Sequence, residues 1–130
     1  MSLGKFITVE GIEGVGTTTN IDFVRKIIDG AGIECEVTRE PGGTPMAEEI
    51  RHTLLQVRDE HVCEETELLL MFAARAQHLT QLIRPKLSHG TWVICDRFTD
   101  ATYAYQGHGR RQNLSNIAAL ETIVQQDFRP

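Results

Sequence analysis

Apolar residues along this chain alternate between short continuous runs and longer stretches with helical spacing. Phe6-Ile7-Thr8-Val9 is the first short run and predicts a strand over about Lys5 to Glu10. The periodic segment Ile21 to Ile28 predicts a helix from about Thr18 to Asp29, and Gly30-Ala31-Gly32 stops it. A second strand spans Glu34 to Thr38. Arg39-Glu40-Pro41-Gly42-Gly43-Thr44 suits neither helix nor strand and reads as an ordered turn. Pro45 can open the next helix, which runs to about Gln56. After a charged loop near Arg58 to His61, a long helix is predicted from about Glu64 to Leu87. Its Leu68, Phe72, Leu79, Leu82 and Ile83 recur at near-helical spacing, and the last turn is expected to kink or end at Pro85. Gly90 leads into Thr91-Trp92-Val93-Ile94-Cys95, an apolar run of buried-strand type. A polar, partly helical segment covers Thr99 to Arg111, and a final helix covers about Leu114 to Gln126.

Strands alternating with helices predict an α/β fold, a single domain whose parallel sheet carries helices on both faces and right-handed crossovers. Open sheets of this kind bind ligands beyond the carboxyl ends of their strands. All three predicted strands end in residues capable of chemistry: the glycine-rich stretch after Val9, then Arg39-Glu40, then Asp96-Arg97. That convergence points to a ligand site before any motif is named.

Composition narrows the function mainly by exclusion. A length of 130 residues suffices to bury a core without disulfides. The net charge is −5 with no basic run, so no nucleic-acid partner is expected. No apolar run approaches the roughly 20 residues of a membrane span, and no membrane partner is expected. The N-terminus has no signal-peptide pattern, Met1-Ser2-Leu3 could be an expression scar, and a cytoplasmic location is expected. Cys35, Cys63 and Cys95 are far apart, form no C-x-x-C pair and read as reduced thiols. The histidines at 52, 61, 78, 89 and 108 show no metal-ligand spacing and read as surface or solvated.

The stretch Gly11-Ile12-Glu13-Gly14-Val15-Gly16-Thr17-Thr18 sits between a strand and a helix. In that setting G-x-x-x-x-G-K-[ST] cradles a phosphate, because glycines let successive N–H groups point at one anion beside the positive helix end. Thr17 holds the lysine position, so the loop has the shape without its cation. Thr18 holds the hydroxyl position that would meet Mg²⁺. Arg39 can present a bidentate fork to a phosphate, or simply form an exposed ion pair in a turn. Asp96-Arg97, directly after a buried strand, needs a ligand, a metal or a partner. Phe72 and Arg75 share a helix face and could stack on and hydrogen-bond a base, although aromatic stripes are more often core. Thr102, Tyr105 and Gln106 can all hydrogen-bond, and Gln106 can read a base edge with both donor and acceptor.

Together these segments resemble bacterial thymidylate kinases, P-loop enzymes that phosphorylate dTMP to dTDP with Mg²⁺ and ATP. The matching stretches are Val9 to Gly16, Thr38 to Gly43, Phe72 to His78, Asp96 to Gly107, and Asp127 to Pro130, in the family's order and spacing. The resemblance implies a P-loop nucleoside monophosphate kinase architecture. It implies that Gly11, Gly14, Val15, Gly16, Thr17, Thr18 and Thr19 form the ATP phosphate loop. Arg39, Arg51 and Arg97 would surround the dTMP phosphate, with Glu13, Glu40 and Pro41 near the sugar and phosphates. Asp96 and Thr18 would lie at the Mg²⁺ site, and Arg97, Asp96 and Glu13 would form the catalytic set. Phe72 would stack on thymine and Arg75 would hydrogen-bond its carbonyl edge; in many members the aromatic lies one residue earlier, at Met71. Thr102 and Gln106 would meet the base, and Tyr105 would lie against the deoxyribose.

Two departures matter. Thr17 replaces the family's lysine. Family members also continue past Asp-Phe-Arg-Pro with a strand, an arginine-bearing lid over ATP, another strand and a helix, so the sequence reads as C-terminally incomplete. An arginine of that kind is worth roughly three to five orders of magnitude in rate. The chain is therefore expected to be an impaired thymidylate kinase; the alternative is a non-catalytic nucleotide-binding module that retains a dTMP pocket. A preference for another monophosphate such as dUMP stays open. His108 for a frequent glycine is a minor change. In the family's five-stranded sheet the first strand is internal; here it would be an edge, which invites self-association, and a homodimer is expected.

Overall fold

A computed structural model describes residues 3–9, 17–97, 114–126 and 128–130, with backbone alone at 17–19. The expectations for Gly11 to Gly16, including Glu13, for the segment Thr99 to Arg111 with Thr102, Tyr105 and Gln106, and for His108 lie outside the described residues.

Strand β1 (Phe6–Val9) is followed by α1 (Thr17–Gly30), β2 (Cys35–Arg39), α2 (Pro45–Leu55) and α3 (Glu64–His78). A π-helical turn (Leu79–Ile83), α4 (Arg84–Ser88), β3 (Trp92–Asp96) and α5 (Leu114–Gln125) complete the order. The strands form a parallel sheet in the order β1-β3-β2. Its register places Asp96 level with both Val9 and Arg39, so the carboxyl ends of the three strands finish in one row.

Side chains along β3 alternate between two cores, as the pleat requires. Val93 and Cys95 pack with Phe6, Leu79 and Ile83 on one face. Ile94 packs with Ile21 and Ile28 of α1 on the other. A third cluster, Leu68 and Phe72 with Ile117, joins α3 to α5. Helices therefore cover both faces of the sheet. Thr44 caps α2 by accepting the Ala47 N–H at 3.1 Å, and Pro45 occupies the first turn, where its missing N–H costs nothing.

The irregularity expected at Pro85 takes the form of a widened turn before it. Helical backbone continues to Ser88, three residues beyond it, and the adjustment is made upstream in the π turn. There the Arg84 N–H reaches back five residues to the Leu79 carbonyl. A proline in a regular helix presses its ring on the carbonyl four residues earlier and donates no bond to it; widening the preceding turn by one residue accommodates both defects. Among the described residues, no helix is long and apolar enough to cross a membrane.

Candidate functional site

The row of strand ends is held together by main-chain bonds. The Arg97 N–H donates to the Val9 carbonyl at 3.0 Å, and the Glu40 N–H donates to the Asp96 carbonyl at 3.1 Å. Arg97 has a φ of 71°, in the left-handed region. A non-glycine residue held there costs about 1–3 kcal/mol, a strain that concentrates at functional sites. β3 thus turns sharply just where its charged pair leaves the sheet.

Arg39 at the end of β2 is half-exposed and engaged by Glu48 of α2, with Nη2 to Oε1 at 2.6 Å and Nε to Oε2 at 3.3 Å. The Gly43 N–H also donates to Glu48 Oε2 at 2.8 Å. Arg51, one turn further along α2, donates from Nη1 to the Pro41 carbonyl at 3.0 Å. Partial burial pushes the Arg51 guanidinium below its ordinary range; the charge of Arg39 is the next cause, and Arg97 adds to it, while Glu48 and Asp96 oppose both. Three arginines expected at a phosphate thus share one electrostatic field. Beside them, Asp22, Thr38, Arg39, Gly43, Glu48 and Asp96 help line a cleft of about 430 Å³. Asp96 Oδ1 is buried with no hydrogen-bond partner among the described residues. An orphaned carboxylate oxygen of this kind is expensive unless a cation or donor meets it.

Behind the cleft lies a buried polar cluster. Arg75 is 1 % exposed and donates from Nε to Glu40 Oε1 at 2.6 Å and from Nη1 to Gln125 Oε1 at 3.2 Å. His78 Nδ1 meets the other oxygen of Glu40, and His78 Nε2 lies 2.7 Å from Thr38 Oγ1. His78 is 0 % exposed, which corrects its reading as a solvated residue. Its imidazole has two polar partners at the end of β2, so burial leaves neither ring nitrogen unpaired. Phe72 is buried between α3 and α5, with the Arg75 guanidinium 5.1 Å from its ring centre. Glu40 is turned inward toward this cluster, while Arg39 turns outward to the cleft.

Arg39, Glu40, Pro41, Arg51, Asp96 and Arg97 are therefore brought together, with Arg75 joined to them through Glu40. Thr17, Thr18 and Thr19 open α1. Three contributors escape sequence reasoning. Glu48 lies in the first turn of α2, where an acidic residue is already explained by the helix dipole. His78 follows Arg75 by three residues and shares its buried stripe, a signal that was present. Gln125, near the end of α5, carries no such signal.

Hydrogen bonding from Arg39 is the main reason that the Glu48 carboxyl sits below the usual glutamate range; the Gly43 N–H helps and burial opposes. A carboxyl with a lowered folded-state pKa stabilises the fold above the ordinary glutamate range, and that stabilisation is lost as pH falls through the lowered value. Glu48→Gln is expected to flatten the acid limb of a melting-temperature profile between about pH 7 and pH 3. An unchanged limb in that variant would show that the pair contributes nothing.

Comparison with known proteins agrees with this geometry. The family model for thymidylate kinase matches residues 9–129. The thymidylate kinase of Hahella chejuensis is 59% identical over 130 residues, covering 100% of this chain and 62% of its own length. That of Pseudomonas fluorescens strain Pf0-1 is 60% identical over 127 residues, covering 98% of this chain and 60% of its own length. The chain thus spans about three-fifths of the length of these relatives. The crystal structure of thymidylate kinase from Ehrlichia chaffeensis superposes with a TM-score of 0.88 at 38% identity, over 98% of this chain and 72% of that one. With the sequence motifs, the row of strand ends and the superposition all in agreement, the chain belongs to the thymidylate kinase family.

Proposed function

We propose that this chain carries the nucleoside monophosphate site of a thymidylate kinase, which transfers the γ-phosphoryl group of ATP to the 5′-phosphate of dTMP. The observation that carries the reading is the row of strand ends, where Arg39, Asp96 and Arg97 leave the sheet together beside a cleft, with Arg51 of α2 bound to the adjoining Pro41 carbonyl. Arg75, held behind them, is the group to donate to a carbonyl of thymine. Phe72, with its ring beside the Arg75 guanidinium, is the group to stack on thymine.

In-line phosphoryl transfer needs little covalent help and rests on positioning and charge. In this reading Arg97 and its neighbours hold the acceptor phosphate. Asp96 Oδ1, without a hydrogen-bond partner among the described residues, fits a cation, and the phosphate-loop motif makes Thr18 the second candidate ligand. Mg²⁺ arriving with ATP would there neutralise charge on the β- and γ-phosphates. Thr17 leaves the ATP side without a lysine, and this favours a second reading, a module that binds dTMP without turning it over.

Calorimetry tests the site directly. dTMP is expected to bind more tightly than ATP, and Arg97→Ala or Arg51→Ala to weaken dTMP by about 10- to 100-fold, the value of one charge-assisted hydrogen bond. ATP binding tighter than dTMP, or dTMP binding indifferent to both substitutions, would overturn the proposal.

A further inference from the structure

We propose that His78 is a positioning residue for base selection, fixing Arg75 through Glu40. The inference rests on the reading of Arg75 as the group that meets the thymine carbonyl. Arg75 cannot orient itself: a guanidinium on a long stem keeps its plane only if several donors are held. Glu40 Oε1 holds Nε at 2.6 Å, and Gln125 Oε1 holds Nη1 at 3.2 Å. Glu40 can serve as an anchor only if its own carboxylate is fixed, and rotation about its last torsion would carry Oε1 away from Arg75. His78 stops that rotation by taking the second oxygen.

The proton placement follows from the partners. A carboxylate paired with a guanidinium only accepts, so Nδ1 of His78 carries the hydrogen and donates it to Oε2. Nε2 then accepts from the Thr38 hydroxyl at 2.7 Å, or donates to it if the ring is charged. Either way the bond to Glu40 persists. The imidazole therefore braces two residues, Thr38 and Glu40, that point the same way from the end of β2.

A second observation shows that the fold makes room for this ring. Gly43 has a φ of 96°, and a Cβ there would collide with His78 Nε2 and sit 2.7 Å from Thr38 Oγ1. The Pro-Gly-Gly turn thus closes over the imidazole with no side chain between them.

Side-chain geometry supplies the test. The amide nitrogen of asparagine can stand where Nδ1 stands and donate to Glu40, whereas that of glutamine reaches the Nε2 position. The readout is the ratio of dTMP to dCMP affinity, because a guanidinium donor favours the thymine carbonyl over the cytosine amino group at the same ring position. Arg75→Ala, or Glu40→Leu with Arg75→Met should the single variant not fold, is measured first and should collapse the ratio; if it does not, the reading of Arg75 fails, whatever His78 does. Given that collapse, His78→Gln is expected to lower the ratio roughly 10-fold and His78→Asn to keep it within about threefold of the parent. Thr38→Val, a milder change that keeps the core filled, is expected to lower it about threefold. A residue that only stabilises the fold would weaken both nucleotides together. An unchanged ratio in folded His78→Gln, or in Thr38→Val should the histidine variant not fold, would overturn the inference.

Discussion

Replacing Thr17 with lysine is expected to raise phosphoryl transfer to dTMP by about 10²- to 10³-fold, the range found when one preorganised donor at a transition state is removed. α1 begins at Thr17, so position 17 lies where the helix presents unpaired N–H groups and roughly half a positive charge. A threonine there offers a neutral hydroxyl. A lysine offers a full charge on a flexible stem that can stay with the phosphoryl group as it moves between donor and acceptor. The gain should fall on the ATP side alone. Calorimetry should show tighter ATP and unchanged dTMP, and a coupled assay following ADP should show the faster turnover. Thr17→Met, similar in length without charge, should give neither. If the lysine variant binds ATP no better than its parent, position 17 is not the limit and the neutral loop is compatible with catalysis.

The second large effect concerns stability. Glu40→Ala or Arg75→Ala alone is expected to cost about 3–5 kcal/mol, because each leaves the other charge buried without its counter-ion. The two side chains are 3% and 1% exposed, so water cannot take the lost partner's place. That loss is a large fraction of the roughly 5–15 kcal/mol that holds a domain of this kind together. The double substitution Glu40→Leu with Arg75→Met should recover most of it, since apolar groups of similar volume often replace a buried ion pair at little cost. It should still fall about 1–3 kcal/mol short, because the Nδ1–H of His78 loses its acceptor. Urea unfolding measures all three. Single losses below about 1 kcal/mol would mean that the pair is solvated in solution. dTMP selectivity should not return in the double variant, which separates folding from recognition.

Much of the fold was legible because it follows from local rules. Short continuous apolar runs and period-3.6 patterns place the strands and helices, and Gly30 to Gly32 and Pro45 mark ends that the structure keeps. The row of Val9, Arg39 and Asp96 follows from reading three strands as parallel and similar in length. Pro85 signals the irregularity of the long helix, although the adjustment falls in the turn before it. His78 was misjudged. Metal-ligand spacing tests one kind of partner, whereas its acceptor, Glu40, lies 38 positions away and becomes a neighbour only when α3 crosses the end of β2. Arg75 shows that a core position and the proposed base contact need not compete. Its guanidinium is buried as deeply as the leucines around it, and the burial holds it in one orientation.

The π turn before Pro85 also sets a phase. A helix advances about 100° per residue, so one additional residue in the turn rotates everything upstream by that angle relative to everything downstream. Ile83 is keyed to the sheet through Val93 and Cys95, while Arg75 and His78 are keyed to the end of β2. An uninterrupted helix could satisfy one of these two alignments and would miss the other by more than a quarter of a turn. The length of Leu79 to Ile83 thus acts as an angular offset between the half of the helix that supports the sheet and the half that meets the end of β2.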